Sequence, residues 1–188
     1  LGEVLAEGAY TNIAINKYLR THQLESMERR LFTELVYGTV KALGTIDWYL
    51  AQCVSRSLEQ LEKNVLSILR LSAYQLLYME RIPATAAACN EAVKLTRCVS
   101  HEGSAKLVNA VLRGLLRKQQ AGEISLPDPQ VDDAGYLALK YYHPRWLVKR
   151  WLGPWGRVGT EALLAFNNTS APVCLRTNTL VTTRERLL

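Results

Sequence analysis

The chain has 188 residues, 48% of them hydrophobic and 21% charged, with four cysteines and a formal net charge of +6. That is ample apolar material for a packed globular core, and there is no run of about 18 apolar residues to span a bilayer. The opening "LGEVLAEGAY" lacks the charged, apolar and small-residue regions of a signal peptide, so a cytoplasmic location is expected. Cys53, Cys89, Cys98 and Cys174 include no CxxC pair, and only His22, His101 and His143 could join them at a metal. Neither a disulfide framework nor a metal site has the required spacing, which leaves free thiols in a reducing compartment.

Up to about residue 120 the apolar residues recur three and four apart with no strict alternation, which predicts an all-α first domain. "LGEVLAE" reads as the tail of a helix already under way, placing the start of the native chain earlier. Thr11 is placed to cap the next helix, "IAINKYLRT", with Ile13, Ile15 and Leu19 facing inward. From Ser26 to Leu43 a stripe of Leu31, Phe32, Leu35, Val36 and Val40 predicts a longer helix. Gly38 within it marks a close helix crossing, because a bare glycine otherwise only weakens a helix. Gly44 and Thr45 punctuate, and "IDWYLAQCV" follows as a further helix.

"EKNVLSILRLSAYQLLYME" carries Val65, Leu66, Ile68, Leu69, Leu71, Leu76 and Leu77 around most of its circumference, the profile of a central helix packed on several sides. Pro83 ends it, Thr85 can cap "AAACNEAVKLTRCV", and "GSAKLVNAVLRGLLRKQQ" is the last helix of the domain. "AGEISLPDPQVDDAG" has the composition of a linker. The expected division is a helical domain over 1–121, a linker over 122–133, a helical connecting region over 134–170, and a truncated α/β module over 171–188. That module opens with a strand at "APVCLRTNTL", and Leu188 reads as a cut inside it.

Charge is uneven. Residues 1–54 carry five basic and six acidic side chains, 55–130 carry ten and seven, and 131–188 carry eight and four. No acid occurs between Ala134 and Thr160, where Lys140, Arg145, Lys149, Arg150 and Arg157 all fall. On the last helix of the first domain Lys106, Arg113 and Arg117 lie within about 40° of one another, opposite Leu107, Val108, Val111, Leu112, Leu115 and Leu116. Such a stripe fits a solvated face or phosphate contact. Asn109 at its edge is expected to make a structural bond. Arg29 and Arg30 sit at the unfavourable end of their helix for the dipole, with Glu25 and Glu28 to compensate, and fit either an interhelical ion pair or RNA contact. Asp47, Asn90 and Glu91 read as structural polar groups. No acid, base and nucleophile fall at a recognisable catalytic spacing.

"HPRWLVKRWLGPWG", residues 143–156, holds three of the four tryptophans. Pro144 suits a first helical position. Leu147, Val148, Trp151 and Leu152 then span an apolar arc of about 140°, which is core, while Arg145, Lys149 and Arg150 flank Trp146 on the other face. Trp146 is free either to stack on an unpaired base or to cover the "YLALKYY" helix with a cation over its ring. Trp155, between Gly-Pro and Gly, is expected to pack in a turn.

"ERRLFTELVYGTVKALGTIDWYL", "YQLLYMERIPATAAACNEAVKL" and "SAKLVNAVLRGLLR", in that order and spacing, resemble the NusB-like N-terminal domain of the Sun/RsmB family. These are bacterial S-adenosylmethionine-dependent cytosine-5 methyltransferases of small-subunit (16S) ribosomal RNA. "YYHPRWLVKRWLGPWG" followed by "NNTSAPVCLRTNTL" is similar to the region joining that domain to the catalytic part. The resemblance implies an all-α double helical bundle with ribosomal RNA as partner, and no membrane or metal. It implies S-adenosylmethionine for the full-length enzyme but no cofactor site and no catalytic cysteine in this segment. The residues expected on RNA are Arg145, Trp146, Lys149, Arg150, Lys106, Arg113, Arg117, Arg29 and Arg30. Two other classes fit less of the chain: a free-standing NusB-type antitermination factor, and a helical protein-interaction module.

Overall fold

The computed structural model describes residues 1–79 and 85–187. The stop expected at Pro83 lies outside the described residues. Ten α-helices and no strand occur among those described: α1 (Gly2–Ala6), α2 (Thr11–Thr21), α3 (Ser26–Lys41), α4 (Leu43–Ala51), α5 (Lys63–Tyr78), α6 (Thr85–Val99), α7 (Glu102–Gln120), α8 (Asp133–Lys140), α9 (Arg145–Asn167) and α10 (Arg184–Leu187). The all-α reading holds.

The helix α5 is central, as its apolar circumference requires. Val65, Ile68, Leu69 and Ala73 are buried on it, and α1, α3, α4, α6 and α7 all pack against it. Ala42, Ile46 and Leu50 close the core from the α3–α4 side, and Val108, Val111, Leu112 and Leu115 close it from α7. Between α3 and α5 a Cβ on Gly38 would collide with the end of the Tyr74 ring, so the glycine makes room for that side chain. Asp47 accepts two hydrogen bonds from Arg70, at 2.8 and 2.7 Å, which staple α4 to α5. This is a structural role of the kind expected for that acid.

Several local expectations are corrected. Thr11 is already helical and Tyr10 occupies the cap without a side-chain bond. Ile13 and Leu31 face outward, because α2 and α3 meet through Ile15, Val36 and the stacked Tyr18 and Phe32 rings. Gly44 and Thr45 lie inside α4, and the bend between α3 and α4 falls at Ala42. Thr45 is buried there because its hydroxyl donates to the Leu139 carbonyl at 2.6 Å, a partner invisible locally. The α3 cap is a capping box in which the Glu25 carboxylate and that of Glu28 each accept a backbone N–H.

The segment between α7 and α8 lies along the bundle. The Trp48 indole donates to the Ser125 carbonyl at 2.9 Å, and the Gln52 side-chain amide donates to the same carbonyl at 3.4 Å. A second, smaller core follows, made by Ala134, Leu137 and Ala138 of α8 with Val148 and Leu164 of α9. The α/β opening expected at "APVCLRTNTL" is not realised as a strand. Val173 and Leu175 are exposed and the backbone bonds around residues 178–183 are turns. A strand needs a neighbour to take its N–H and C=O groups, and among the described residues none lies alongside.

Gly38→Ala is expected to destabilise the fold by about 1 kcal/mol, because displacement of the Tyr74 ring outweighs the gain in helix propensity. In a Tyr74→Ala background the same change should stabilise by up to about 1 kcal/mol. Urea unfolding of the four proteins in this cycle measures the reversal, and equal effects in both backgrounds would contradict the contact between Gly38 and Tyr74.

Candidate nucleic-acid interface

The turn from α8 into α9 fixes where the tryptophan-rich stretch points. Tyr142 adopts a left-handed backbone conformation (φ 59°) and turns its ring edge-on to Tyr78 at 5.8 Å, among the tyrosines beside α5. Burial, with further contributions from Tyr142, pushes the Tyr78 hydroxyl well above its ordinary value. Pro144 stands one position before the helix as its cap residue (ψ 134°), where its missing N–H costs nothing.

From Arg145 onward the helical spacing sorts side chains as the arc predicts. Val148 is fully buried, and Leu147, Trp151 and Leu152 are partly covered. Trp146, Lys149 and Arg150 are exposed on the other face. Trp146 is 64% accessible and does not cover α8. The ammonium of Lys140 lies instead over the rings of Tyr136 and Tyr141. Trp155 is a correction: it is 52% accessible rather than packed in a turn. It stacks on Trp151 at 6.1 Å, but Gly156 (φ 62°) breaks α9 immediately after it, and Val148, Trp151, Leu152 and Leu164 already fill the face toward α8. The "TEALLAFNN" helix is therefore the second half of α9, beyond that break.

The acid-free stretch does not stay unneutralised. Arg145 donates to Asp132 at 2.8 Å, and the same carboxylate caps α8 by accepting the Gly135 N–H. Arg157 donates to Asp133 at 2.9 Å and to Glu161 at 3.1 Å, and Lys140 donates to Glu161 at 2.9 Å. Three of the five cations are thus matched by acids from just outside the stretch. Lys149 and Arg150 have no ion pair among the described residues. Sequence reasoning missed the role of Asp132, Asp133 and Glu161, although the i, i+4 spacing of Arg157 and Glu161 was a visible signal.

The other expected residues lie on the first core. Lys106, Arg113 and Arg117 are exposed along α7, with Arg113 bonded to the Asn109 side chain at 2.9 Å. The Asn109 bond is structural, within its own helix. Arg29 and Arg30 are exposed on the first turns of α3 beside Ser26, Thr33, Glu34 and Tyr37, and make no interhelical ion pair among the described residues. The α7 and α3 cations sit on the large bundle and the α9 pair on the small core.

Burial pushes the Cys53 and Cys89 thiols up, which keeps them protonated and poorly nucleophilic. Cys98 and Cys174 are exposed and unpaired with any other cysteine, and no metal-ligating cluster is present among the described residues. Among the described residues no helix is long and apolar enough to cross a membrane.

The described residues form an all-helical bundle built on a central helix, with exposed cations on α3, α7 and α9. The family model described as "NusB family" matches residues 2–117, and the chain belongs to that family. Residues 143–188 match a second model, "Methyltr_RsmF/B-like, ferredoxin-like domain". A relative from Synechocystis sp., named "Probable ribosomal RNA small subunit methyltransferase B", is 33% identical over 184 residues, covering 98% of this chain and 40% of its own length. A Bacillus subtilis protein of the same name is 33% identical over 96% of this chain and 39% of its own. "Ribosomal RNA small subunit methyltransferase B" of Serratia proteamaculans is 30% identical over 100% and 41%. The chain thus spans about two fifths of the length of these curated relatives.

Hydrogen bonds from Lys140 and Tyr141 hold the Glu161 carboxyl below the ordinary carboxylate range. A carboxyl depressed by folding contributes stability that is present above its unfolded pKa and lost as pH falls through its folded pKa. Glu161→Gln is therefore expected to cost about 1 kcal/mol at neutral pH. Thermal unfolding curves of variant and parent should converge as the pH drops below about 4. A gap that persists in acid would assign the loss to packing.

Proposed function

We propose that this chain is the RNA-docking part of an S-adenosylmethionine-dependent ribosomal RNA (cytosine-5) methyltransferase of the cytoplasm. It positions small-subunit ribosomal RNA for a catalytic domain that supplies cofactor and cysteine nucleophile. The supporting observation is the succession of a NusB-family bundle and an RsmF/B-like ferredoxin-like segment in one chain, the order its methyltransferase relatives share over this length. The division proposed is a helical RNA-binding domain to about residue 121, a docked connector to 133, the α8–α9 region to 170, and the first residues of the next module beyond it. A free-standing antitermination factor would account for residues 2–117 but has no use for the match over 143–188.

Docking here means phosphate neutralisation, which orients RNA without reading its sequence. Lys149 and Arg150 are the leading contacts, because no carboxylate among the described residues competes for them. Arg145 contributes less, since RNA would have to displace Asp132 from it. Lys106, Arg113 and Arg117 on α7, and Arg29 and Arg30 on α3, form additional cationic surface.

In filter binding with a small-subunit ribosomal RNA fragment, the chain should bind with affinity that falls steeply as salt rises. Changing Lys149 and Arg150 together to Ala should reduce the slope of log affinity against log salt by about 1.4, the release from two single-strand phosphates. Salt-independent binding, or an unchanged slope, would count against this surface.

A further inference from the structure

We propose that the outer face of the first half of α9 is a stacking site for one unpaired nucleobase of RNA, with Trp146 as the platform and Lys149 and Arg150 on the flanking phosphates. This deepens the RNA-docking reading and rests on it. The ligand class is single-stranded RNA, as opposed to a duplex or a protein.

Three observations carry it. First, Trp146 is a large apolar ring left 64% accessible with no aromatic partner among the described residues, while its neighbours in sequence are all engaged: His143 with Trp151, and Trp151 with Trp155. Second, positions 146, 149, 150 and 153 follow the i, i+3, i+4, i+7 rule, so the ring and both cations share one face with about 5–6 Å between adjacent Cβ atoms. Gly153 continues that face two turns on, with open space where a Cβ would stand. Third, the pairing of Arg145, Lys140 and Arg157 with nearby acids leaves the two unmatched cations on either side of this ring.

The chemistry selects the ligand. An apolar protein surface set on Trp146 would have to desolvate two unpaired cations beside it, a cost of several kcal/mol per ion when fully buried. A duplex offers phosphates but hides its base faces. An unpaired nucleotide offers both an exposed base plane and a phosphate on each side, and stacking tolerates any base.

The test titrates the 188-residue chain with a labelled oligouridylate and with a fully paired, blunt-ended RNA duplex. Trp146→Ala should weaken the single strand about tenfold and leave the duplex within about twofold, with the salt slope unchanged for both. Trp146→Phe should retain most single-strand affinity. Tryptophan fluorescence quenching by oligouridylate should be present in the parent and largely absent in Trp146→Phe. Circular dichroism checks that these surface changes leave the helices intact. Equal losses on strand and duplex, or none on either, overturn the stacking site while leaving phosphate docking standing. Absence of any salt-dependent binding overturns the docking reading, and the stacking site with it.

Discussion

The burial of α5 is the constraint on which the rest depends. A helix apolar around most of its circumference has no stable solvated face, so it must be enclosed, and five other helices do so. Enclosure sets how close each neighbour comes. Gly38 makes room for the Tyr74 ring, Ala42 and Ala73 keep nearby side chains short, and the Asp47–Arg70 pair supplies the one strong polar link between α4 and α5 at the rim of the core. With one side of α4 committed to α5, its other side is free to receive α8. There the Thr45 hydroxyl meets the Leu139 carbonyl, and Trp48 meets the connector at Ser125. The orientation of α9 therefore follows, through α4 and α8, from packing around a helix it does not belong to.

Much of this was legible in the sequence because helical amphipathicity is a local property. The buried side of α7, the close contact at Gly38, the central position of α5 and the core arc of α9 all follow from residues three and four apart. What was not legible depends on partners distant along the chain. Thr45 looks like a helix breaker until Leu139 arrives from 94 residues away. The strand at residues 171–180 has the right alternation and composition, but strands are completed by neighbours and not by their own sequence. Trp155 was misjudged for a related reason: its flanking glycines and proline read as a packed turn, whereas Gly156 directs the chain so that only one side of the indole is covered.

The cationic surface divides in the same way. Its existence could be counted from composition, but which cations remain available could not. Subtracting Arg145, Lys140 and Arg157 required knowing that Asp132, Asp133 and Glu161 return to them from both ends of the acid-free run. The pairing holds α8 to α9 with surface ion pairs of modest individual strength, and within the acid-free run it leaves Lys149 and Arg150, on one side of α9, without an ion pair among the described residues.

The break at Gly156 divides α9 into two halves whose exposed sides differ in character. Before it, the exposed side is aromatic and cationic. After it, Val158, Ala162, Ala165 and Phe166 leave an exposed side that is apolar. Because the backbone changes direction between the halves, a substitution that alters the helical phase of one does not rotate the other. The polar surface and the apolar one can drift independently along a single continuous segment, with the glycine acting as the joint that keeps their errors from propagating.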